Sequence, residues 1–439
     1  MDDFPLVLLS ASVLLLAIGL AWSCKQRFEI AIFLVALSPL ISAVFFPATP
    51  EVDLETATEP ALGSYARIGL LALTGAVGLF RFIESWSKSR ERLPVELLFL
   101  GGFLLLALFS TSYSIDQQYT FIRSASFVAL FGFLLGLYSY IDSEQRLNQT
   151  LFSLFAMVAV VTLVNVTALV AFPDRAWYEN RFQGLWSHPN AMGSFCMLAY
   201  PLLFWVYPRS APLKKWFVAG LVMTLFCLHL LTGSRGSLMA AVCGMCMWIV
   251  VQRKPVRLFL LLSAIGVGVF ILTQATPNSF ERDGSYSATD LTERPEFWYG
   301  SLILIREKPM LGYGYAVEGG IWADPRFNKP EYSLWTGSPK TSLHNGYLSV
   351  AVGLGLGALL IWCVLLFLPL WRFRSLPYTD YKGLIMAVLV SCLLLNGVET
   401  EIGGGAPVFW IVWVIAGKVS HALSVHVCRV TSRVARQEI

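Results

Sequence analysis

The stretch KTSLHNGYLSVAVGLGLGALLI, residues 340–361, decides the fold. From Gly346 the chain stays apolar to about residue 371, longer than the about 20 helical residues that cross a hydrocarbon layer. Just before that run stands the pair His344-Asn345, in a chain that holds only five histidines. A titratable pair at the mouth of a membrane-length run places possible chemistry at a water boundary.

The same pattern recurs from end to end. The 439 residues are 56% hydrophobic and 14% charged, far fewer charges than the about 25% of soluble domains. Apolar runs separated by breakers predict spans near 5–22, 28–46, 65–83, 94–111, 120–140, 149–171, 190–207, 216–233, 237–252, 258–275, 343–371, 383–398 and 406–423. Their length favours helices over the alternating pattern of a barrel, so the fold class is an all-α polytopic membrane protein. The N-terminal run has no basic stretch before it and no small-residue cleavage site, which reads as a retained span.

Connectors fall into two charge classes. KSRERL, PRSAPLKKW, QRKPVR, WRFR and the tail CRVTSRVARQ are basic, whereas PATPEVDLETATEPALGS is acidic and lacks Lys and Arg. The positive-inside rule puts the basic set in the cytoplasm. Alternation then places residues 172–190, the turn TGSRGS at 232–237 and the long loop 276–342 together on the outer face. Strict counting gives thirteen spans with an external N-terminus; one re-entrant segment gives about twelve with both ends inside, the arrangement that also suits the basic CKQR at 24–27. The organisation is therefore N-terminal transmembrane helices over 1–275, a long outer loop with amphipathic helices over 276–342, and C-terminal transmembrane helices with a basic tail over 343–439. Within the loop, a surface helix is expected from about 295 to 307, with Trp298, Leu302 and Ile305 on its apolar stripe.

Charge on the outer face runs against the usual bias and so asks for a reason. Arg235 lies in the Gly-flanked turn, Arg181 in ENRFQGLWSHPNAMGS and Arg294 in LTERPEFW. Three convergent guanidiniums would form a bidentate anion clamp. His344 has the residue type of a general base. His188 precedes Pro189-Asn190 at a span start, where a helix-start role competes evenly with substrate contact; His229, mid-span, reads as a satisfied structural histidine. Asp283, Asp290, Glu293 and Glu296 are scattered, Glu399 and Glu401 stand near another outer end, and no metal-binding spacing occurs. The one C-x-x-C, Cys243 to Cys246, sits mid-span as one turn of small residues, and no nucleotide-binding loop is present. No metal, cofactor or nucleic-acid partner is expected.

On RFQGLWSHPNAMG at 181–193, the SRG around Arg235, R-P-E-F-W with E-K-P-M-L-G-Y-G from 294 to 314, and HNGYLSVAVGLGLG at 344–357, the chain resembles the O-antigen ligase family of bacterial inner-membrane glycosyltransferases. The resemblance implies a membrane glycosyltransferase C-type fold and a periplasmic, metal-independent site in a Gram-negative inner membrane. It implies an undecaprenyl-diphosphate-linked O-antigen donor and a lipid A-core acceptor. Arg235, Arg294 and His344 match the family's essential positions, Arg181 less closely. Asn345, Asn190, His188 and Tyr313 are the further candidate substrate contacts, with Asn345 placed to orient a sugar. Polymerases share the H-N and E-K-P-x-x-G-x-G signals, so an O-antigen polymerase is the nearest alternative, followed by a protein O-oligosaccharyltransferase. A lipid-glycan transporter would need charges at mid-membrane and repeated halves, and neither is visible.

Overall fold

A computed structural model of the chain describes residues 19–45, 62–89, 93–178, 180–257, 294–322, 324, 326–327, 343–374, 379–400 and 407–420. The expected span at 258–275, most of the expected first span, and loop residues 276–293 and 328–342 lie outside the described residues, as do Asp283, Asp290, Glu293 and Glu401.

The described chain is a helical bundle. In order, its long helices are α1 Phe28–Phe45, α2 Leu62–Ser89, α3 Val95–Phe109, α4 Gln117–Tyr140, α5 Glu144–Ala171, α6 Pro189–Val206, α7 Pro212–Thr232, α8 Arg235–Val251, α9 Arg294–Glu307, α10 Gly346–Arg374 and α11 Asp380–Leu395, followed by α12 Pro407–Ser420. Seven of them are long and apolar enough to cross a membrane, and α8, α12 and residues 28–41 of α1 are shorter apolar helices. Polar caps set several starts: Asp116 accepts from the Tyr119 amide, Ser143 from Arg146 and Thr379 from Lys382. A two-stranded hairpin, Trp177–Tyr178 paired antiparallel with Arg181–Phe182, is the only sheet among the described residues.

The core is aromatic and spans the bundle. Trp362 of α10, Trp410 and Trp413 of α12, Phe103 of α3 and Phe127 of α4 are fully buried, and the rings of Phe103 and Trp362 lie 4.5 Å apart. Large apolar side chains also cover the outside, Leu105, Leu360, Trp216 and Trp371 among them, as a lipid-facing bundle requires.

The two ends differ chemically. At one end Lys88, Arg146, Arg209, Lys214, Lys215, Arg253, Lys254, Arg372 and Arg374 gather at helix termini and turns. There the exposed end of Arg372 pairs with the buried carboxylate of Glu96, Arg209 meets Asp380 at 2.7 Å, and Tyr140 and Arg146 both bond Glu29. The hairpin and the turns before α6, α8 and α10 occupy the opposite end.

Helix α10 is not the continuous span that its apolar sequence suggests. Gly355 takes φ 81° and ψ 176°, a conformation that breaks the helix and that side-chain-bearing residues rarely adopt. The segment 309–314 fills the break: Leu356 donates to the Pro309 carbonyl at 2.8 Å, Tyr313 to Val352 at 3.0 Å and Gly314 to Gly353 at 2.8 Å. Non-helical backbone is tolerated at this depth because protein, not lipid, satisfies it. The Gly-Tyr-Gly motif and the Gly-Leu-Gly motif are thus two halves of one seam.

Helix α9 forms as expected and Ile305 of the anticipated stripe is buried, but Trp298 is only partly buried and the rest of the inner face is different. Phe297, Ser301, Leu304 and Ile305 face inward, whereas Leu302 is half exposed. Leu304 and Ile305 pack with Leu343, Ala351 and Val352, so tertiary contact with α10 selects a stripe offset from the one anticipated from membrane-surface burial.

Candidate active site

Three helix starts and Arg294 of α9 meet at the non-basic end. His188 caps α6, its Nδ1 accepting from the Asn190 amide at 3.1 Å. Arg235 is the first residue of α8, and Arg294 is the first described residue of α9. Asn345 precedes α10, its Oδ1 accepting from the amides of Tyr347 and Leu348 at 3.0 and 3.1 Å, its Nδ2 donating to the Gly397 carbonyl at 2.9 Å. Helix N-termini carry partial positive charge and unsatisfied N–H groups, so their convergence favours an anion.

Glu399, in the turn after α11, joins these starts. Its Oε1 accepts from Arg294 Nη2 at 2.5 Å and from Asn190 Nδ2 at 2.8 Å; its Oε2 lies 3.0 Å from His344 Nδ1. Only 12% of its side chain is exposed, against 31% for His344, so the carboxylate is the buried anchor and the imidazole the more accessible partner. Burial pushes the Glu399 carboxyl up, but the hydrogen bond from His344 and the charges of His344 and Arg294 outweigh it and hold its pKa below the ordinary value. The turn is fixed by its own backbone: Gly346 N–H donates to the Asn396 carbonyl at 2.8 Å and to that of Glu399 at 3.2 Å.

The arginines reach this carboxylate by different routes. Arg294 touches it directly, and its buried Nε has no hydrogen-bond partner among the described residues. Arg181 reaches it through Asn190, donating from Nη2 to Asn190 Oδ1 at 2.8 Å, while its Nε donates to the Thr232 carbonyl at 2.8 Å. The hairpin presenting Arg181 is seated by Asn165 of α5, whose Oδ1 accepts from the Leu185 amide. Arg235 is half-buried in the turn between α7 and α8, where Gly233 is left-handed beside Arg181 and Gly236 packs on Val398, the neighbour of Glu399.

His344 is held in a constrained geometry. Its φ of 44° lies in the left-handed region, uncommon for a residue with a Cβ, and Phe297 stacks near it at 5.8 Å between ring centroids. Such strain is tolerated where surrounding contacts fix it and is frequent at functional positions. Tyr313 stands apart from the carboxylate, 1% exposed within the seam between segment 309–314 and α10, its hydroxyl donating to Glu307 at 2.9 Å.

The structure therefore joins Arg181, Asn190, Arg294 and His344 through one residue that sequence alone leaves among the scattered acids. Glu399 carries only a weak signal there: a carboxylate at the end of an apolar run in a chain poor in charge. Among the described residues no group of three His, Cys, Asp or Glu side chains converges as a metal site would require.

These observations define a class: a multi-pass helical membrane protein with a cationic, carboxylate-anchored site at one end of its bundle. Residues 219–363 match the family model described as O-antigen ligase. Over this segment the chain is similar to the O-antigen ligase family, whose members are glycosyltransferase-like enzymes of the ligase and polymerase kind. The matched segment holds Arg235, Arg294, Tyr313, His344 and Asn345, while Arg181, His188, Asn190 and Glu399 flank it. No curated protein matches the chain significantly.

Proposed function

We propose that the protein transfers an O-antigen glycan from undecaprenyl diphosphate to the lipid A-core oligosaccharide, on the periplasmic face of a Gram-negative inner membrane. The observation that carries this reading is the His344–Glu399 pair held beside Arg294. The gathering of basic residues at the far end supports a periplasmic site by the positive-inside rule, and the helical bundle is compatible with a glycosyltransferase C-type fold.

In the proposed reaction Glu399 accepts the hydrogen bond from the Nδ1 proton of His344, which fixes the tautomer and presents Nε2 as the base. Nε2 takes the proton of the acceptor hydroxyl while that oxygen bonds to the anomeric carbon of the donor sugar. The bond from that carbon to the diphosphate oxygen breaks, and its electron pair leaves with undecaprenyl diphosphate. Arg294 and Arg235, with Arg181 behind them, neutralise the departing charge, aided by the starts of α6, α8 and α10. A single displacement inverts the anomeric centre, and arginine supplies the charge stabilisation without a metal. General-base assistance is worth about 10² to 10⁴ in rate, so leaving-group electrostatics carries at least as large a share.

The test is reconstitution into liposomes with lipid-linked donor, lipid A-core and EDTA, comparing wild type with His344→Ala. Transfer by the wild type, a loss of at least about 100-fold in the variant and an inverted linkage in the product are expected. EDTA-sensitive transfer or a retained anomer refutes the displacement described. The same chemistry serves a polymerase, which would extend the glycan on undecaprenyl diphosphate instead.

A further inference from the structure

The proposed reaction leaves one buried histidine unused. His229, in the last turns of α7, is 2% exposed and has partners on both ring nitrogens. Tyr200 Oη of α6 lies 3.1 Å from Nδ1 and Ser237 Oγ of α8 lies 2.8 Å from Nε2. Ser237 in turn donates to the Ser234 carbonyl at 3.0 Å. With the serine proton on that carbonyl, Nε2 donates to Oγ; Tyr200 Oη lies closer to Nδ1 than to the Leu225 carbonyl at 3.5 Å, so the tyrosine donates to Nδ1. The result is one directed relay of hydrogen bonds, Tyr200 to His229 to Ser237 to Ser234, through a neutral imidazole.

The end of this relay matters. The Ser234 carbonyl belongs to the peptide whose nitrogen is that of Arg235. From the same helix end, the His229 carbonyl accepts from Thr232 Oγ1 at 2.7 Å, and that oxygen accepts from the Ser234 amide at 3.1 Å. The Thr232 carbonyl meanwhile receives Arg181 Nε. Both sides of the turn that bears Arg235, and the docking point of Arg181, thus rest on the residues around His229. Helix α6 closes on the relay at Gly193, where a Cβ would lie 2.4 Å from Ser237 Oγ and 2.7 Å from Ser234 Cβ. Three helices meet there with no room to spare.

We infer that His229 is a positioning residue: through Ser237 and the Ser234 carbonyl it sets the backbone of the turn that presents Arg235 to the donor diphosphate. The Ser234 carbonyl also accepts from the Leu238 amide at 3.1 Å, so the relay adds a side-chain bond to the one the helix itself makes there. The inference rests on the reading of Arg235 as a diphosphate ligand, and its test separates the two.

The test measures binding of radiolabelled undecaprenyl diphosphate to the detergent-solubilised full chain, and KM for donor and for acceptor in transfer. Removal of one buried hydrogen bond in the relay by His229→Leu should weaken diphosphate binding and raise donor KM about five- to tenfold, leaving acceptor KM unchanged. His229→Gln places an amide N–H near the Nε2 position and should return binding to within about twofold of wild type, and it remains readable if the leucine variant does not fold. Ser237→Ala should match the leucine variant, and combining the two should add little, because each cuts the same relay. Unchanged diphosphate binding in both His229→Leu and Ser237→Ala, equal losses for donor and acceptor, or full additivity would overturn the assignment. Arg235→Ala serves as the reference. If it binds the diphosphate like wild type, the diphosphate reading of Arg235 fails and the assignment with it; if it binds weakly while the His229 variants bind normally, the positioning role alone fails.

Discussion

Replacing Glu399 by Gln removes one charge while keeping the side chain's volume, and the hydrogen bonds around it fix how the new amide must sit. Oε1 holds Arg294 and Asn190 at 2.5 and 2.8 Å, both of them donors. The amide oxygen of Gln must therefore stay on that side, which turns its NH₂ toward His344 Nδ1, 3.0 Å from Oε2 in the wild type. An NH₂ can only donate, so Nδ1 becomes an acceptor and the ring proton moves to Nε2. The nitrogen assigned to accept the hydroxyl proton is then already protonated. Losing the base should cost about 10² to 10⁴ in kcat, and inversion of a catalytic tautomer is known to cost about 10⁴ in the serine protease triad. Donor binding should fall less, because Arg294 keeps a neutral acceptor and remains available to the diphosphate. The assay is glycan transfer in proteoliposomes with donor and acceptor titrated separately, beside a check that the variant elutes as a folded protein in detergent. A folded Glu399→Gln variant with kcat within about threefold of wild type would refute the tautomer argument, since a factor that small is far below the general-base contribution.

Three further outcomes are expected. Arg235→Lys should lose most transfer although its charge remains, because an ammonium lacks the planar fork that grips two phosphate oxygens; near-normal transfer in the same assay would contradict the clamp. Gly355→Ala should destabilise the protein by about 3 kcal/mol or more and depress transfer, since the new Cβ would lie 2.3 Å from the Met310 carbonyl at a left-handed φ of 81°, and a thermal melt in detergent reads this directly. Acid should loosen the site through Glu399, whose folded pKa lies below its ordinary value of 4.5: its stabilising contribution is complete above 4.5 and is lost as pH falls through the lower folded value. Melting temperatures measured across that range should fall less steeply for Glu399→Gln than for wild type.

Much of this architecture is legible in the sequence because ionisable residues are expensive in a membrane and therefore rare. That rarity is why His344, Arg294 and Arg181 stand out, and they do share one cluster. The unread parts depend on distant partners. Gly353 and Gly355 read as ordinary small residues of a span, since their role appears only when segment 309–314 lies against them. Glu399 reads as one acid among several until folding sets it between an arginine and a histidine, 105 and 55 residues away. Asn345 suggests a sugar contact by residue type, but its amide caps α10 and ties it to Gly397. On α9 the periodicity gives the helix, whereas the choice of Phe297 and Leu304 over Leu302 as its inner face is made by α10.

The central claim is that this site joins a lipid-linked glycan to lipid A-core. The most direct measurement offers both acceptors at once, lipid A-core and a second undecaprenyl-diphosphate glycan, to the reconstituted wild type and resolves the products by mass. The account predicts glycan on lipid A-core with donor chains of unchanged length; lengthened chains on undecaprenyl diphosphate with lipid A-core left bare would contradict it and make the protein a polymerase.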